Sequence, residues 1–243
     1  MVDIHCHILP RIDDGAQSMA ESIAMARMAR LSGVDKLAAT PHFNGTAESL
    51  EMLPGIMSRI RRLRQELRRM DLPLEIVPGA EILCLPETMD LARRELLPTL
   101  GGSRYLLIEF YFDLPGEEMD EMISRLQEME YIPVIAHPER YDAVQRNPEL
   151  VWKWFDQGNV IQLNKGSVLG AFGPDPERCA HGLLQRGTVH VIASDAHGAD
   201  SRTTDMGRIR AWAEENLGRT YADVLLRRNP GLILRGRQTL PVT

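Results

Sequence analysis

Seven short runs rich in Val, Ile, Leu and Ala alternate with amphipathic stretches from one end of this chain to the other. The runs are Val2–His7, Lys36–Pro41, Glu75–Ile82, Tyr105–Phe110, Ile132–His137, Val160–Asn164 and His190–Ser194. Each is short enough for a strand and apolar on both faces, as parallel strands covered by helices must be. Repeated β-then-α order favours a parallel barrel, although an open, doubly wound sheet fits the same pattern.

The stretches between the runs read as helices. Ser18 and Glu21 form a capping box, with the serine accepting from the backbone three residues on and the glutamate reaching back. Met19, Ile23, Ala26 and Ala29 then share a face, and Gly33 suits the stop. Ile56, Ile60, Leu63, Leu67 and Met70 recur at helical spacing, and Leu72-Pro73 ends that segment. Further helices are expected over 117–130, 148–157, 176–186 and 205–216. The arginine-rich run from Arg59 to Arg69 reads as a solvated face opposite the Ile/Leu stripe.

With 243 residues, 44% of them hydrophobic, and no linker-like break, the chain is expected to form one domain over 1–243. A net charge of −6 argues against nucleic-acid binding by phosphate neutralisation. No apolar stretch approaches the roughly 18 residues needed to cross a bilayer, so no membrane insertion is expected. The first fifteen residues lack the pattern of a signal peptide. Cys6, Cys84 and Cys179 match neither a disulfide framework nor a Cys-x-x-Cys zinc site, which suits a reducing, cytoplasmic setting.

The polar residues are not scattered. His5 and His7 close the first run, with Asp13 and Asp14 just beyond. His42, Glu81, Glu109 and His137 close the next four, and Asp195 and His197 close the last. Five of the seven histidines therefore fall at the C-terminal ends of expected strands, which in a barrel converge on one mouth. His181, inside a helix, and His190, at a strand start, read as structural. Alternation puts His5 and His7 on one side of their strand and Cys6 on the other, as packing.

A solitary strand-end histidine is ordinarily a hydrogen-bonded core residue. Nine imidazoles and carboxylates converging on one rim would be costly to leave unpaired. Metal ions resolve that cost, nine ligands exceed the needs of one ion, and a mixed nitrogen–oxygen set suits harder divalent ions. Two or three ions are implied, an arrangement typical of phosphate-ester hydrolysis in which hydroxide is generated and phosphate charge is neutralised. Arg140 and Arg202 sit just beyond ligand positions and have the shape for bidentate phosphate binding, though a salt-bridge role fits them equally.

Other hydrolytic devices are missing. A cysteine phosphatase needs Cys-x5-Arg, but Ile12, Asp90 and Gln185 occupy the arginine positions after the three cysteines. No Gly-x-Ser-x-Gly elbow or Walker loop occurs.

The segments "DIHCHILPRIDDG", "PGAEI", "RYLLIEF", "PVIAHPERY" and "VIASDAHG" resemble the PHP (polymerase and histidinol phosphatase) superfamily. The resemblance extends from Met1 to about Pro230 and is strongest to the bacterial metal-dependent protein-tyrosine phosphatases associated with capsule and exopolysaccharide synthesis. It implies an α/β fold, a distorted (β/α)7 barrel, with a three-ion site of Mn2+ at the strand C-termini, Zn2+ or Fe being alternatives. It implies one ion on His5, His7, Glu81 and Asp195, a second on Glu81, Glu109 and His137, and a third on Asp14, His42 and His197. Arg140 and Arg202 would bind the phosphate for catalysis, with direct attack on phosphorus and no phosphoenzyme. "QLNKGS", with Gln162, Asn164 and Ser167, would support the ligands from behind.

The implied substrate is the phosphotyrosine tail of a bacterial tyrosine kinase that controls capsular polysaccharide synthesis. Phe43-Asn44-Gly45 departs from the family pattern and is expected to bear on peptide specificity. A histidinol-phosphate phosphatase of the same superfamily would share these metals and is the main alternative. A metal-dependent amide hydrolase fits less well, because its barrels often place a bridging lysine where this chain has Glu109. A non-catalytic member would be expected to have lost a ligand, and none is lost.

Overall fold

In the computed structural model, residues 1–242 are described, and they form a ring of parallel strands flanked by helices. The strands are β1 (Val2–Asp3), β2 (Lys36–Ala39), β3 (His42–Phe43), β4 (Glu75–Pro78), β5 (Glu81–Leu83), β6 (Tyr105–Glu109), β7 (Ile132–Ala136), β8 (Val160–Asn164) and β9 (Val191–Ala193). One sheet runs β1-β2-β4 and the other β3-β5-β6-β7-β8-β9, with every pairing parallel.

The expected seven strands become nine because two of them bend at the mouth. Pro41 separates β2 from β3, since proline has no N–H for the ladder, and Gly79-Ala80 separates β4 from β5. The ring stays closed across these breaks. The Glu81 N–H donates to the Pro41 carbonyl at 3.0 Å and the Thr40 N–H to the Cys6 carbonyl at 2.9 Å. First and last strands join through Asp195 N–H to the His5 carbonyl and His7 N–H to the Ala196 carbonyl, both at 2.9 Å, and a parallel Cys6–Ala196 bridge. The result is a distorted (β/α)7 barrel, as the family resemblance implies, and not the open sheet that the pattern alone also allows.

Strand alternation sorts the core into two layers. Tyr105, Leu107, Val134, Ala136, Val160, Val191 and Ala193 share one buried cluster with Ile4, Leu100 and Ile233. Their neighbours Leu106, Ile108, Ile135, Ile161, Leu163 and Ile192 belong to the other cluster, with Ile60, Leu63, Ile123, Trp154 and Leu183 of the helices. Parallel strands with apolar residues on both faces are the direct cause.

The helix at Met19–Leu31 begins as expected, with Ser18 Oγ accepting from the Glu21 N–H. Glu21 reaches back one residue further than a standard box and accepts from the Gln17 N–H at 2.8 Å. The helix at Ala47–Arg69 buries Ile56, Ile60, Leu63 and Leu67 but leaves Met70 exposed. Its arginine face is not wholly solvated. Arg59 donates to the Pro10 carbonyl at 2.9 Å and Arg64 to the Ile76 carbonyl at 2.9 Å, while Arg61, Arg62, Arg68 and Arg69 are exposed. The other expected helices run Gly116–Glu128, Glu149–Asp156, Pro174–Arg186 and Gly207–Asn216. Short helices at Pro86–Arg93, Asp142–Arg146, Lys165–Val168 and Arg219–Asp223 complete the connections, with a π turn at Val224–Arg228 and a last turn at Asn229–Ile233.

Among the described residues no helix is long and apolar enough to cross a membrane.

Candidate metal centre

Glu81 lies at the centre of the barrel mouth, 1% exposed. Its Oε2 is 3.1 Å from His5 Nε2 and 3.2 Å from both His7 Nε2 and His42 Nδ1, and its Oε1 is 2.9 Å from His137 Nε2. Four imidazoles from three strand ends therefore ring one carboxylate. β1 and its extension deliver His5 and His7, β3 delivers His42, and the turn after β7 delivers His137.

Three overlapping sets of donor atoms result. His5, His7, Glu81 and Asp195 form one, all of them buried. His42, Glu81 and Glu109 form a second, and His7, Asp14, His42 and His197 a third. Eight of the nine residues singled out in the sequence fall in these sets, with some sharing that the sequence did not suggest, and the ninth, His137, stands beside Glu81 with its expected place in the second set taken by His42. His42 belongs to two sets, because its Nδ1 is 3.1 Å from Glu109 and its Nε2 is 3.4 Å from Asp14. His7 joins the third set as well as the first. His137 is close to Glu81 but 3.9 Å from Glu109. His197 Nε2 lies 3.4 Å from Asp14 and its Nδ1 3.5 Å from Asp195.

The chemistry of this donor set fits divalent metal ions. His5 Nδ1 is 2.9 Å from Gln162 Oε1 and His7 Nδ1 is 2.7 Å from Asp13 Oδ2. Each acceptor draws the ring proton to Nδ1 and leaves the Nε2 lone pair facing the cage, as a metal-binding histidine requires. A mixed imidazole and carboxylate set accommodates manganese, zinc or iron. With protons in place of metal, the cage becomes a set of ion pairs. Burial opposes charge on His5, but Glu81 and Asp195 outweigh it and its pKa rises to about 10. Burial likewise opposes charge on His42, yet Glu109 and Glu81 raise it to about 9. Glu81 itself, although desolvation resists, is held well below the usual carboxylate range by His5 and His137.

In the sequence Asp13 stands out only as a neighbour of Asp14. It accepts from His7 and from the His42 N–H at 3.1 Å, so it orients two cage residues at once. Gly15 lets its loop fold onto the cage, since a Cβ there would lie 2.1 Å from the His7 carbonyl oxygen and 2.4 Å from the His7 Cβ. Asn164 donates to Asp195 Oδ2 at 2.5 Å. Ser167 is buried nearby, and the buried Glu139 accepts from the Asn164 N–H at 2.9 Å. His137, Asp195 and Arg202 all adopt positive φ, an unfavourable conformation that clusters here.

Arg202 and Arg140 both hang from Asp195, with Nη2 at 2.6 Å and Nη1 at 3.6 Å from its Oδ2. Arg202 Nε is buried and lacks a hydrogen-bond partner among the described atoms. Lys165 pins the loop that carries Arg202 by donating to the Thr203 and Asp205 carbonyls. Elsewhere, His181 bonds the Val168 carbonyl and stacks on Trp212, and His190 stacks on Phe155, away from the cage. Phe43 is buried in the core, and Asn44 closes a turn by accepting from Thr46, so of that divergent loop only exposed turn atoms face outward.

The chain matches the model of the CpsB/CapC capsular polysaccharide synthesis family over residues 1–235. It is 37% identical over 238 residues to the tyrosine-protein phosphatase YwqE of Bacillus subtilis (strain 168), covering 98% of this chain and 92% of that one. It is 32% identical over 240 residues to the tyrosine-protein phosphatase CpsB of Streptococcus pneumoniae, covering 96% of this chain and 98% of that one. A crystal structure from work on those two proteins, described as metal-dependent tyrosine phosphatases, superposes with a TM-score of 0.90 at 34% identity, over 99% of this chain and 96% of that one. A lactonase from Listeria monocytogenes shares the fold alone, with a TM-score of 0.56 at 8% identity over 98% of this chain and 92% of that one.

Proposed function

Because the chain belongs to the CpsB/CapC family of capsular polysaccharide synthesis proteins, we infer that it is a metal-dependent tyrosine-protein phosphatase. The observation that carries this reading onto its own residues is the ring of four imidazoles around the buried Glu81 carboxylate, with two arginines held beside it by Asp195.

His5, His7, Asp14, His42, Glu81, Glu109, His137, Asp195 and His197 are the residues we assign to the metals, with Mn2+ as the ion. Bound divalent ions supply Lewis acidity, an acidified water and positive charge. The chain's own residues do the rest. Gln162 and Asp13 fix the tautomers of His5 and His7. Arg140 and Arg202 hold the phosphoryl oxygens, a role supported by their placement on Asp195 beside the cage. Asp195 keeps both guanidinium groups aimed at the cage before substrate arrives, so little reorganisation is needed. Tyrosine is a good leaving group, since its phenol ionises near 10, far more readily than an aliphatic alcohol.

The substrate we propose is a phosphotyrosine-bearing tail of a bacterial tyrosine kinase governing capsule or exopolysaccharide synthesis, met in the cytoplasm. Three free cysteines suit a reducing compartment. Initial rates on a phosphotyrosyl peptide, metal-free and with Mn2+, in the wild type and in His5→Ala test the reading. Manganese-dependent turnover lost in the variant supports it, and metal-independent turnover refutes it.

A further inference from the structure

Two large aromatic side chains are exposed in the turn that follows Glu109. Tyr111 is 53% exposed and Phe112 is 43% exposed. The turn is built, not loose. The Leu114 N–H donates to the Tyr111 carbonyl at 3.1 Å, and the Asp142 N–H donates to the Phe112 carbonyl at 2.9 Å. Tyr141 braces the same region from below, its hydroxyl donating to the Ala136 carbonyl at 2.8 Å and accepting from the Phe110 N–H at 3.2 Å.

Phe112 is held against the site. Its ring centroid is 6.1 Å from that of His137 and 4.6 Å from Arg140 Cζ. A second ring, Phe172, is also 4.6 Å from Arg140 Cζ and 6.0 Å from Arg202 Cζ. Phe172 is packed on the backbone at Gly166, where a Cβ would come within 2.7 Å of the ring. Phe172 is therefore a fixed support for the guanidinium groups. Phe112 shares the guanidinium contact but keeps much of its surface in solvent, which packing alone does not explain.

We propose that Phe112 is a specificity-determining residue, the apolar wall on which the phenyl ring of an aryl phosphate packs while Arg140 holds its phosphate. The inference rests on the phosphatase reading of the site and names what selects its substrate. In an aryl ester the ring begins one bond from the bridging oxygen, so a phosphate held at Arg140 brings the ring close to that guanidinium, where Phe112 already lies. An alkyl phosphate begins with a methylene and offers little area to the same wall.

Phenylphosphonate and methylphosphonate, as competitive inhibitors, measure this preference without turnover. In the metal-loaded protein, Phe112→Ala is expected to lower the ratio of their affinities about tenfold, and to raise KM for a phosphotyrosyl peptide in parallel. Phe112→Tyr and Phe112→Trp should restore the ratio, and Phe112→Leu should not. Because the readout is a ratio, a shared loss from a displaced Arg140 cancels. An unchanged ratio in Phe112→Ala, with a wild type that cleaves the peptide, overturns this inference alone. A wild type without metal-dependent cleavage of the peptide overturns the phosphatase reading and this inference with it.

Discussion

His5 and His7 turn their Nε2 atoms toward each other at 3.3 Å, and one oxygen of Glu81 lies 3.1 and 3.2 Å from the pair. Two imidazoles so placed need a cation between themselves and the carboxylate, either protons or metal. In the metal-free protein burial opposes the charge, but Glu81 and Asp195 keep His5 protonated up to about pH 10, and Glu109 and Glu81 keep His42 protonated up to about pH 9. Divalent ions must displace those protons, so binding affinity rises with pH through this range. Calorimetric titration with Mn2+ in buffers of different ionisation enthalpy is expected to show net proton release at pH 7.

The same raised values set the stability of the metal-free fold. Their folded values exceed the ordinary histidine value of about 6.5, so the stabilisation is complete below that pH. It is lost as pH rises through about 9 to 10. Thermal melts of chelated protein should therefore fall progressively between about pH 6.5 and pH 10, and added Mn2+ should offset the loss.

Asp13 and Gly15 are predicted to matter as much as some ligands. Asp13→Asn weakens the acceptor that holds the proton on His7 Nδ1 and is expected to cost about 10- to 100-fold in metal affinity. Gly15→Ala would push its new methyl into the His7 backbone and should reduce metal content at unchanged secondary structure. Metal analysis and circular dichroism of the two variants check both outcomes.

Arg140 and Arg202 offer planar donors that lysine cannot match. Arg202→Lys and Arg140→Lys are each expected to lower kcat/KM on a phosphotyrosyl peptide by about 10²- to 10³-fold while metal content is retained. Steady-state rates on the metal-loaded variants provide the check.

His190 gives a pH dependence independent of the cage. Its Nδ1 accepts from the Ile161 N–H at 3.1 Å and its ring stacks on Phe155, so the native imidazole is neutral. Burial lowers its pKa to about 4. A depressed value means that its stabilisation is present above about pH 6.5 and is lost as pH falls through about 4. The amount is on the order of 3 kcal/mol. Urea melts between pH 4 and 7 should show this slope in the wild type and a shallower one in His190→Asn.

Much of this arrangement is legible in the sequence because strand periodicity and polar strand ends coincide. His5, His42, Glu81, Glu109, His137 and Asp195 each follow an apolar run, and a parallel ring can only gather such ends at one mouth. What the sequence hides is local. Asp13 and Asp14 are adjacent and chemically alike, yet one faces a ring Nδ1 and the other two ring Nε2 atoms. The strand breaks at Pro41 and Gly79 are ordinary residues until the bend around Glu81 is seen. The helix at Pro86–Arg93 lacks a polar N-cap residue, because Thr88 bonds back to the Leu85 backbone instead. Phe112, Arg140 and Phe172 lie far apart in sequence, and only the closed ring brings them together.

The most direct measurement is the initial rate on a phosphotyrosyl peptide and on histidinol phosphate, each metal-free and with added Mn2+, alongside His5→Ala. Manganese-dependent cleavage of the peptide, faster than that of histidinol phosphate, is expected, together with its loss in the variant. Metal bound at the site with no cleavage of the peptide would contradict it.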